Sequence, residues 1–327
     1  MFHVTKGLSA GLIFAVASFG AAPVMADTYI VAVGAASNSL QGRSAARFAE
    51  ELQAKLGDAH KVEFYADAQL GDEKELMQKL RLGTVQFTLI SSIMTNVAPE
   101  FGLFEMPFLV KDRAHLKAID AEIVRNELAP KAEEQGLHVI STWENGFRHI
   151  TNNARPINTP ADLAGLKIRT PSSEWRVAMF QEWGANPTAM SFSEVFVALQ
   201  TGTMDGQENP LTNIVGANFQ EVQKFLSMTG HVYSPTYLTT GLKVWEDLPE
   251  DVRTAVNDVA AEVQDWSLEQ GETADNELVA KVEAAGAAVN QADKAAFIAA
   301  SAPVYAAFAA QVPGGAELIS RAQALAN

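Results

Sequence analysis

The sequence predicts an α/β protein of two lobes with a long helix bridging them, and three observations carry that prediction. Short apolar strands alternate with amphipathic helices in the first part of the chain, the pattern of a mainly parallel sheet with helical crossovers. About 300 residues remain once a leader is set aside, twice the usual single-domain size, which suits two lobes or one large α/β unit. From Pro249 to about Ala285 there is no internal proline and one glycine, Gly271, with apolar residues recurring through Val252, Val256, Val259, Val263, Trp266, Leu278 and Val282. Such a helix reaches roughly 50 Å, longer than one domain needs, so it is expected to strap two lobes together, with a kink near Gly271.

The elements follow in order. Tyr29 to Val33 reads as a strand, and Ser44 to Leu56 as a helix with Phe48, Leu52 and Leu56 in register. A strand Val62 to Tyr65, a helix from about Asp72 to Leu82 closed by Gly83, and a strand Phe87 to Ile90 come next. Glu105 to Val110 is a loop into a helix starting near Asp112. His138 to Trp143 and Phe147 to Thr151 are two strand candidates separated by Glu144-Asn145-Gly146, a turn signal. Thr159-Pro160 to Gly165 has an N-cap, a proline at the first helical position and a closing glycine, hence a short helix. In Leu166 to Arg169, period-2 alternation puts Leu166 and Ile168 on one face and Lys167 and Arg169 on the other. Ser191-Phe-Ser-Glu194 has capping-box spacing and opens a helix ending at Gly202. Asp205 to Pro210 reads as a polar loop at the end of a very short strand. The alanine-rich tail from Ala284 reads as terminal helices packing on the surface.

Lys6 precedes an uncharged, mostly apolar run from Gly7 to Ala22 and then Pro23-Val24-Met25-Ala26. A positive start, an apolar core and a small-x-small site mark residues 1–26 as a secretory signal peptide cleaved after Ala26, so the mature chain starts at Asp27 in the periplasm. The chain has no cysteine. That excludes a lipid anchor at the junction, and leaves stability to packing instead of disulfides.

With 24 Lys plus Arg against 39 Asp plus Glu, the net charge of −15 argues against nucleic acid and anionic membrane surfaces as partners. Any anion site must then be made locally by a few arginines. Gly7-Leu8-Ser9-Ala10-Gly11 has nucleophile-elbow spacing but lies in the leader. There is no Walker loop, G-x-G-x-x-G, H-E-x-x-H or EF-hand pattern, and the six histidines are scattered without ligand spacing. No catalytic residue, metal ligand or cofactor is indicated.

Polar residues at strand ends remain, where open α/β sheets bind ligands. Arg169 closes one strand, Arg148 lies in the strand after the Glu144-Asn145-Gly146 turn, and Asn209 lies in the loop beyond Asp205. Each arginine reads equally well as a surface salt bridge. Together, two guanidiniums and an amide suit a carboxylate, whose two oxygens match the guanidinium fork. Phe147, Phe192, Trp143 and Trp175 stand beside them, as pocket walls or as simple core.

Gly165-Leu-Lys-Ile-Arg-Thr-Pro171, Gly184-Ala-Asn-Pro-Thr188, Phe192-Ser-Glu-Val-Phe196, Ala198-Leu-Gln-Thr-Gly202 and Asp205-Gly-Gln-Glu-Asn-Pro210, with Gln69-Leu-Gly71 and Met106-Pro-Phe-Leu109, carry a resemblance over essentially the whole mature chain. In these stretches it resembles the DctP-type substrate-binding proteins of tripartite ATP-independent periplasmic (TRAP) transporters. The resemblance implies a periplasmic-binding-protein fold, type II-like, closing on ligand like a Venus flytrap. Lobe I would comprise 27–146 plus about 235–273, and lobe II 147–234 plus about 274–327, with crossings near Gly146, near Ser234 and inside the long helix. It places the principal carboxylate-binding arginine on Arg169, a second on Arg148, a pocket asparagine on Asn209 and a ligand-packing aromatic on Phe192. The implied partners are a small organic acid and the small and large integral membrane subunits of an ion-gradient transporter, usually sodium-driven. Many members carry His-Pro where this chain has Ser39-Leu40, so the far end of the substrate does not carry over. Glu73 and Asn38, with Ser39, Gln41, Arg43, Gln69 and Asp72, are candidates for reading hydroxyls or a second charge. The expected ligand range is a sugar acid or a C4-dicarboxylate. An ABC-type receptor or a ligand-binding accessory of a signalling receptor are the alternatives.

Overall fold

The computed structural model describes residues 1–3 and 27–326, so residues 4–26 and with them the leader and its cleavage site lie outside the described residues. Among the described residues ten strands form one sheet: β1 (Thr28–Ala32), β2 (Lys61–Tyr65), β3 (Phe87–Ile90), β4 (Leu137–Asn152), β5 (Lys167–Thr170), β6 (Asn186–Ala189), β7 (Gly206–Pro210), β8 (Phe225–Met228), β9 (Tyr233–Gly241) and β10 (Ala288–Gln291). They pair in the order β2-β1-β3-β9-β4-β7-β5-β6, with β8 on β4 and β10 on β8. The β1–β2, β1–β3, β5–β6 and β5–β7 pairs are parallel, as alternation with helices requires. The two long strands, β4 and β9, run antiparallel through the middle.

Local chemistry places the helices. Asp72 accepts from the Lys74 and Glu75 amides and Glu75 returns a bond to the Asp72 amide, a capping box that starts helix Glu73–Leu82; Gly83 ends it with φ +70°. Helix Leu40–Leu56 starts four residues before the expected Ser44, because the Ser39 hydroxyl caps the Gly42 amide. Ser191 and Glu194 form the expected box at the next helix start in the second half.

Three expectations change. His138–Trp143 and Phe147–Thr151 are not two strands but one, β4, 16 residues long. β9 pairs along it from Leu137↔Gly241 to Phe147↔Tyr233, and the supposed turn is a bulge between Glu144 and Gly146, with Gly146 at φ +120° absorbing the extra residue. Asp205–Pro210 is no loop: Gly206–Pro210 is β7, wholly buried between β4 and β5. The tail adds strand β10, and Phe297, Val304 and Phe308 are core residues. Its last helices, Ala302–Gln311 and Gly315–Ala324, also reach the first part of the chain: Tyr305 donates to the Pro107 carbonyl and His115 bonds the Ala322 carbonyl.

Helix Glu250–Ala284 is 35 residues, about 52 Å at 1.5 Å per residue. Its first half packs Val252, Val256, Val259 and Val263 with Phe48 and Trp143, while Val282 joins a separate core with Leu199, Leu211 and Phe219. One helix thus serves two cores. It runs helical through Gly271, whose lack of a side chain admits Glu144; a Cβ there would lie 2.4 Å from Glu144 Cγ. Glu144 is fully buried and pairs with Arg113, which also holds Asp275 of the same helix. Gly146 pairs with Ser234, and Gly271 packs on the adjacent Glu144, so these three segments meet in space.

A buried arginine cleft as the candidate functional site

β7 lies between β4 and β5, with Arg148 opposite Pro210 and Arg169 opposite Gln207. This register gathers Arg148, Arg169 and Asn209 around one cavity of about 480 Å³, within the size range of small-molecule sites. Phe192, Met190 and Pro171 line the same side, and Glu73, Asp72 and Gln41 come from the other. Bonds cross the cleft: Ser191 Oγ donates to Asp72, Asn96 Nδ2 donates to the Ser172 carbonyl at 2.7 Å, and Asn213 Nδ2 donates to Gln41 Oε1 at 3.4 Å.

The arginines are not equivalent. Arg148 gives Nε and Nη2 to the Glu208 carboxylate at 2.5 and 2.9 Å, and Nη2 also to Asn209 Oδ1 at 3.1 Å. Arg176 donates to Glu208 at 2.6 Å and pairs with Glu105 at 2.9 Å. His231 Nε2 stands 3.0 Å from the same Glu208 oxygen, with Nδ1 2.8 Å from the Thr229 hydroxyl. Burial lowers His231 to about 4, so the ring is neutral, and because the Glu208 carboxylate can only accept, Nε2 is the donor. Arg169, by contrast, gives Nε and Nη2 only to the Met190 carbonyl, at 3.0 and 2.6 Å, with Phe192 below its guanidinium at 6.0 Å. All of these charged side chains are at most 3% exposed. Among the described residues, three buried guanidiniums here share two buried carboxylates, Glu208 and Glu105, and the one without a carboxylate in contact is Arg169.

The electrostatics follow. Burial pushes Glu208 up, but Arg148, Arg176 and the His231 bond outweigh it and hold it well below the usual carboxylate range. Burial brings Arg169 down to about 10, against the pull of Glu208. Burial raises Glu73 to about 7, although the Ser91 amide, Arg169 and Arg148 all favour its charged form.

His149, on β4 next to Arg148, accepts from the Gly230 amide at 3.1 Å, and burial lowers it to about 3. In the unfolded chain it titrates near 6.5, so the stability it contributes is complete above that pH and is lost as pH falls towards the folded value. Raised Glu144 and Glu73 act oppositely over the same range, so a difference isolates the effect. Between pH 6.5 and 4.5 the wild type is expected to lose about 2 to 3 kcal/mol relative to His149→Gln, read from urea unfolding at both pH values. A pH-independent gap rules out a buried neutral histidine there.

Of the sequence candidates, Arg169, Arg148, Asn209, Phe192 and Glu73 line this cleft, with Gln41 and Asp72. Asn38 does not: it is exposed and, with Arg43, lines a separate groove beside the long helix. The reason is the early helix start, which uses Ser39 as a buried cap and leaves Asn38 outside. Gln69 is exposed. Trp143 and Trp175 are core, and Phe147 packs on Tyr233. Glu208, Arg176, Glu105 and His231 were missed. Their signal was a charge inside an apolar or strand run, such as Glu105 between Phe104 and Met106, which must be paired if buried.

The family model for bacterial extracellular solute-binding protein, family 7 (DctP) matches residues 31–311. The 2,3-diketo-L-gulonate-binding periplasmic protein YiaO of Escherichia coli is 33% identical over 307 residues, 93% of each chain. A TRAP periplasmic solute-binding protein from a Polaromonas species, solved with D-erythronate, superposes with a TM-score of 0.86 at 33% identity, covering 91% of this chain and 98% of that one. Another, from Sulfurospirillum deleyianum with succinate, gives 0.87 at 30%, covering 92% and 100%. With the motifs, the fold and the match over most of its length in agreement, the chain belongs to the DctP family of TRAP-transporter solute-binding proteins.

Proposed function

We propose that this protein is an extracytoplasmic solute receptor that captures one small organic carboxylate and delivers it to the membrane subunits of a TRAP-type secondary transporter. The single observation that carries the ligand class is Arg169, a buried guanidinium lining the cavity with no carboxylate in contact. A desolvated cation without a counter-ion is unfavourable, and a bidentate ligand carboxylate relieves it. Membership of the family and the carboxylates bound by relatives support the same reading.

Lobe I comprises 27–146 plus about 235–273 and lobe II 147–234 plus about 274–327, hinged where Gly146, Ser234 and Gly271 meet. The leader is removed after Ala26 on export to the periplasm. The protein binds without turnover: Glu208 and His231, a buried acid and base behind the cavity wall, are held in a closed network with Arg148 and Arg176. Small and large integral membrane subunits receive the loaded receptor.

A thermal-shift screen of the mature chain against an organic-acid library tests this. A bound acid at 100 times its dissociation constant adds about 2.7 kcal/mol to the folded state, so hits are expected among carboxylates and none among neutral sugars. Stabilisation by neutral sugars alone contradicts the carboxylate reading.

A further inference from the structure

Resting on that two-lobed reading, we propose that Gly216 is the stop that sets how far the lobes close, so that its missing side chain controls ligand affinity without touching the ligand. Gly216 is the last residue of helix Leu211–Gly216, and its φ is not positive. No turn geometry therefore asks for glycine at this position, and alanine is the better residue for a helical backbone. The reason lies across the cleft. A Cβ at residue 216 would stand 2.8 Å from both the amide nitrogen and the Cα of Ser39, well inside van der Waals contact. Backbone meets backbone here, with Ser39 in residues 27–146 and Gly216 in residues 147–234.

Ser39 is a seat that does not yield. It is fully buried; its amide donates to the Ala36 carbonyl at 2.9 Å, and its hydroxyl donates to that carbonyl at 2.6 Å while accepting from the Gly42 amide at 3.1 Å. Gly42 lets this turn fold so tightly, since a Cβ there would lie 2.3 Å from the Ala36 carbonyl oxygen. The two helices that meet are anchored in different cores. Helix Leu40–Leu56 puts Phe48 and Leu52 in the first, and helix Leu211–Gly216 puts Leu211 and Ile214 in the second, with Val282. A methyl group at residue 216 is therefore relieved by moving one body away from the other. Ordinary contact at 3.4 Å requires a separation of about 0.6 Å. The cavity registers that shift directly, because Gln41 and Asn213, on the same two helices, both line it and stand only 3.4 Å apart.

Gly216→Ala is compared with wild type by calorimetry with D-erythronate and succinate, and by the distance between spin labels on Leu82→Cys and Val197→Cys. The chain has no cysteine of its own, and both label sites are exposed, one in each lobe. Gly216→Ala is expected to bind the better of the two acids roughly 5- to 150-fold more weakly, and at saturation to hold the labels farther apart than wild type does. Without ligand it is expected to melt no more than about 2 °C below wild type, since alanine suits the helix. A larger fall shows that the contact belongs to the fold in every state and overturns the proposal. Affinity within threefold of wild type overturns it too, as does weaker binding at the wild-type label distance. The two readings fail separately: if neither acid binds wild type, the carboxylate receptor loses its support. Ligand-free label distances then decide on Gly216, longer in Gly216→Ala if it is the stop, and identical distributions overturn the proposal.

Discussion

Arg169→Ala is expected to weaken ligand binding by roughly 30-fold to several thousand-fold, with the fold intact. Removing one partner of a desolvated, hydrogen-bonded charge pair typically costs about 2 to 5 kcal/mol, and each 1.4 kcal/mol is a factor of ten. The empty protein responds differently. Its Arg169 has only the Met190 carbonyl and the Phe192 ring as partners, so deleting it strands no carboxylate in contact. Thermal melting without ligand is therefore expected within a few degrees of wild type. Arg169→Lys keeps the charge but loses the two-pronged fork, and its affinity should fall between the two.

The largest loss of stability is expected at Glu208. It is fully buried and receives Arg148, Arg176 and His231 at once. Glu208→Gln keeps the shape and removes the anion, leaving Arg148 without its carboxylate and Arg176 with Glu105 alone. Breaking a buried pair from one side costs about 3 to 5 kcal/mol. For a chain of this size that lowers the melting temperature by roughly 5 to 8 °C. A variant melting within about 2 °C of wild type shows that the network does not hold the second half of the sheet together. The contrast between neighbours is informative: Glu208 is expected to matter for folding and Arg169 for binding, although both sit in one cluster.

Much of this was legible in the sequence because local rules and tertiary packing agree. Asp72 and Gly83 bracket their helix in the sequence as in the fold, and Phe87–Ile90 is a strand at both levels. The proline-free stretch after Pro249 is one helix serving two cores. Failures came where a partner strand overrides local preference. Glu144-Asn145-Gly146 has turn chemistry, but β9 pairs on both sides of it and converts the turn into a bulge. Gly206–Pro210 is polar and proline-ended, so it reads as a loop; β4 and β5 make it a central strand because its charges are paired inside.

The site was legible in part for the same reason. Alternation in Leu166 to Arg169 put Arg169 opposite Ile168, and β5 holds it so. Nothing local says whether an arginine has a counter-ion: Glu208 is 60 residues from Arg148 and 32 from Arg176, and only the sheet register brings them together. Asn38 was misplaced by one residue of capping chemistry, since Ser39 turns inward and Asn38 outward.

Calorimetry on wild type and Arg169→Ala, using the tightest-binding acid and its neutral carboxamide, measures the clamp most directly. Wild type is expected to bind one acid per chain and to lose at least about 30-fold in affinity for the carboxamide, while Arg169→Ala binds both weakly and nearly alike. If the carboxamide binds wild type as tightly as the acid, or Arg169→Ala holds the acid within about threefold of wild type, a change below roughly 1 kcal/mol, then Arg169 is not the carboxylate clamp.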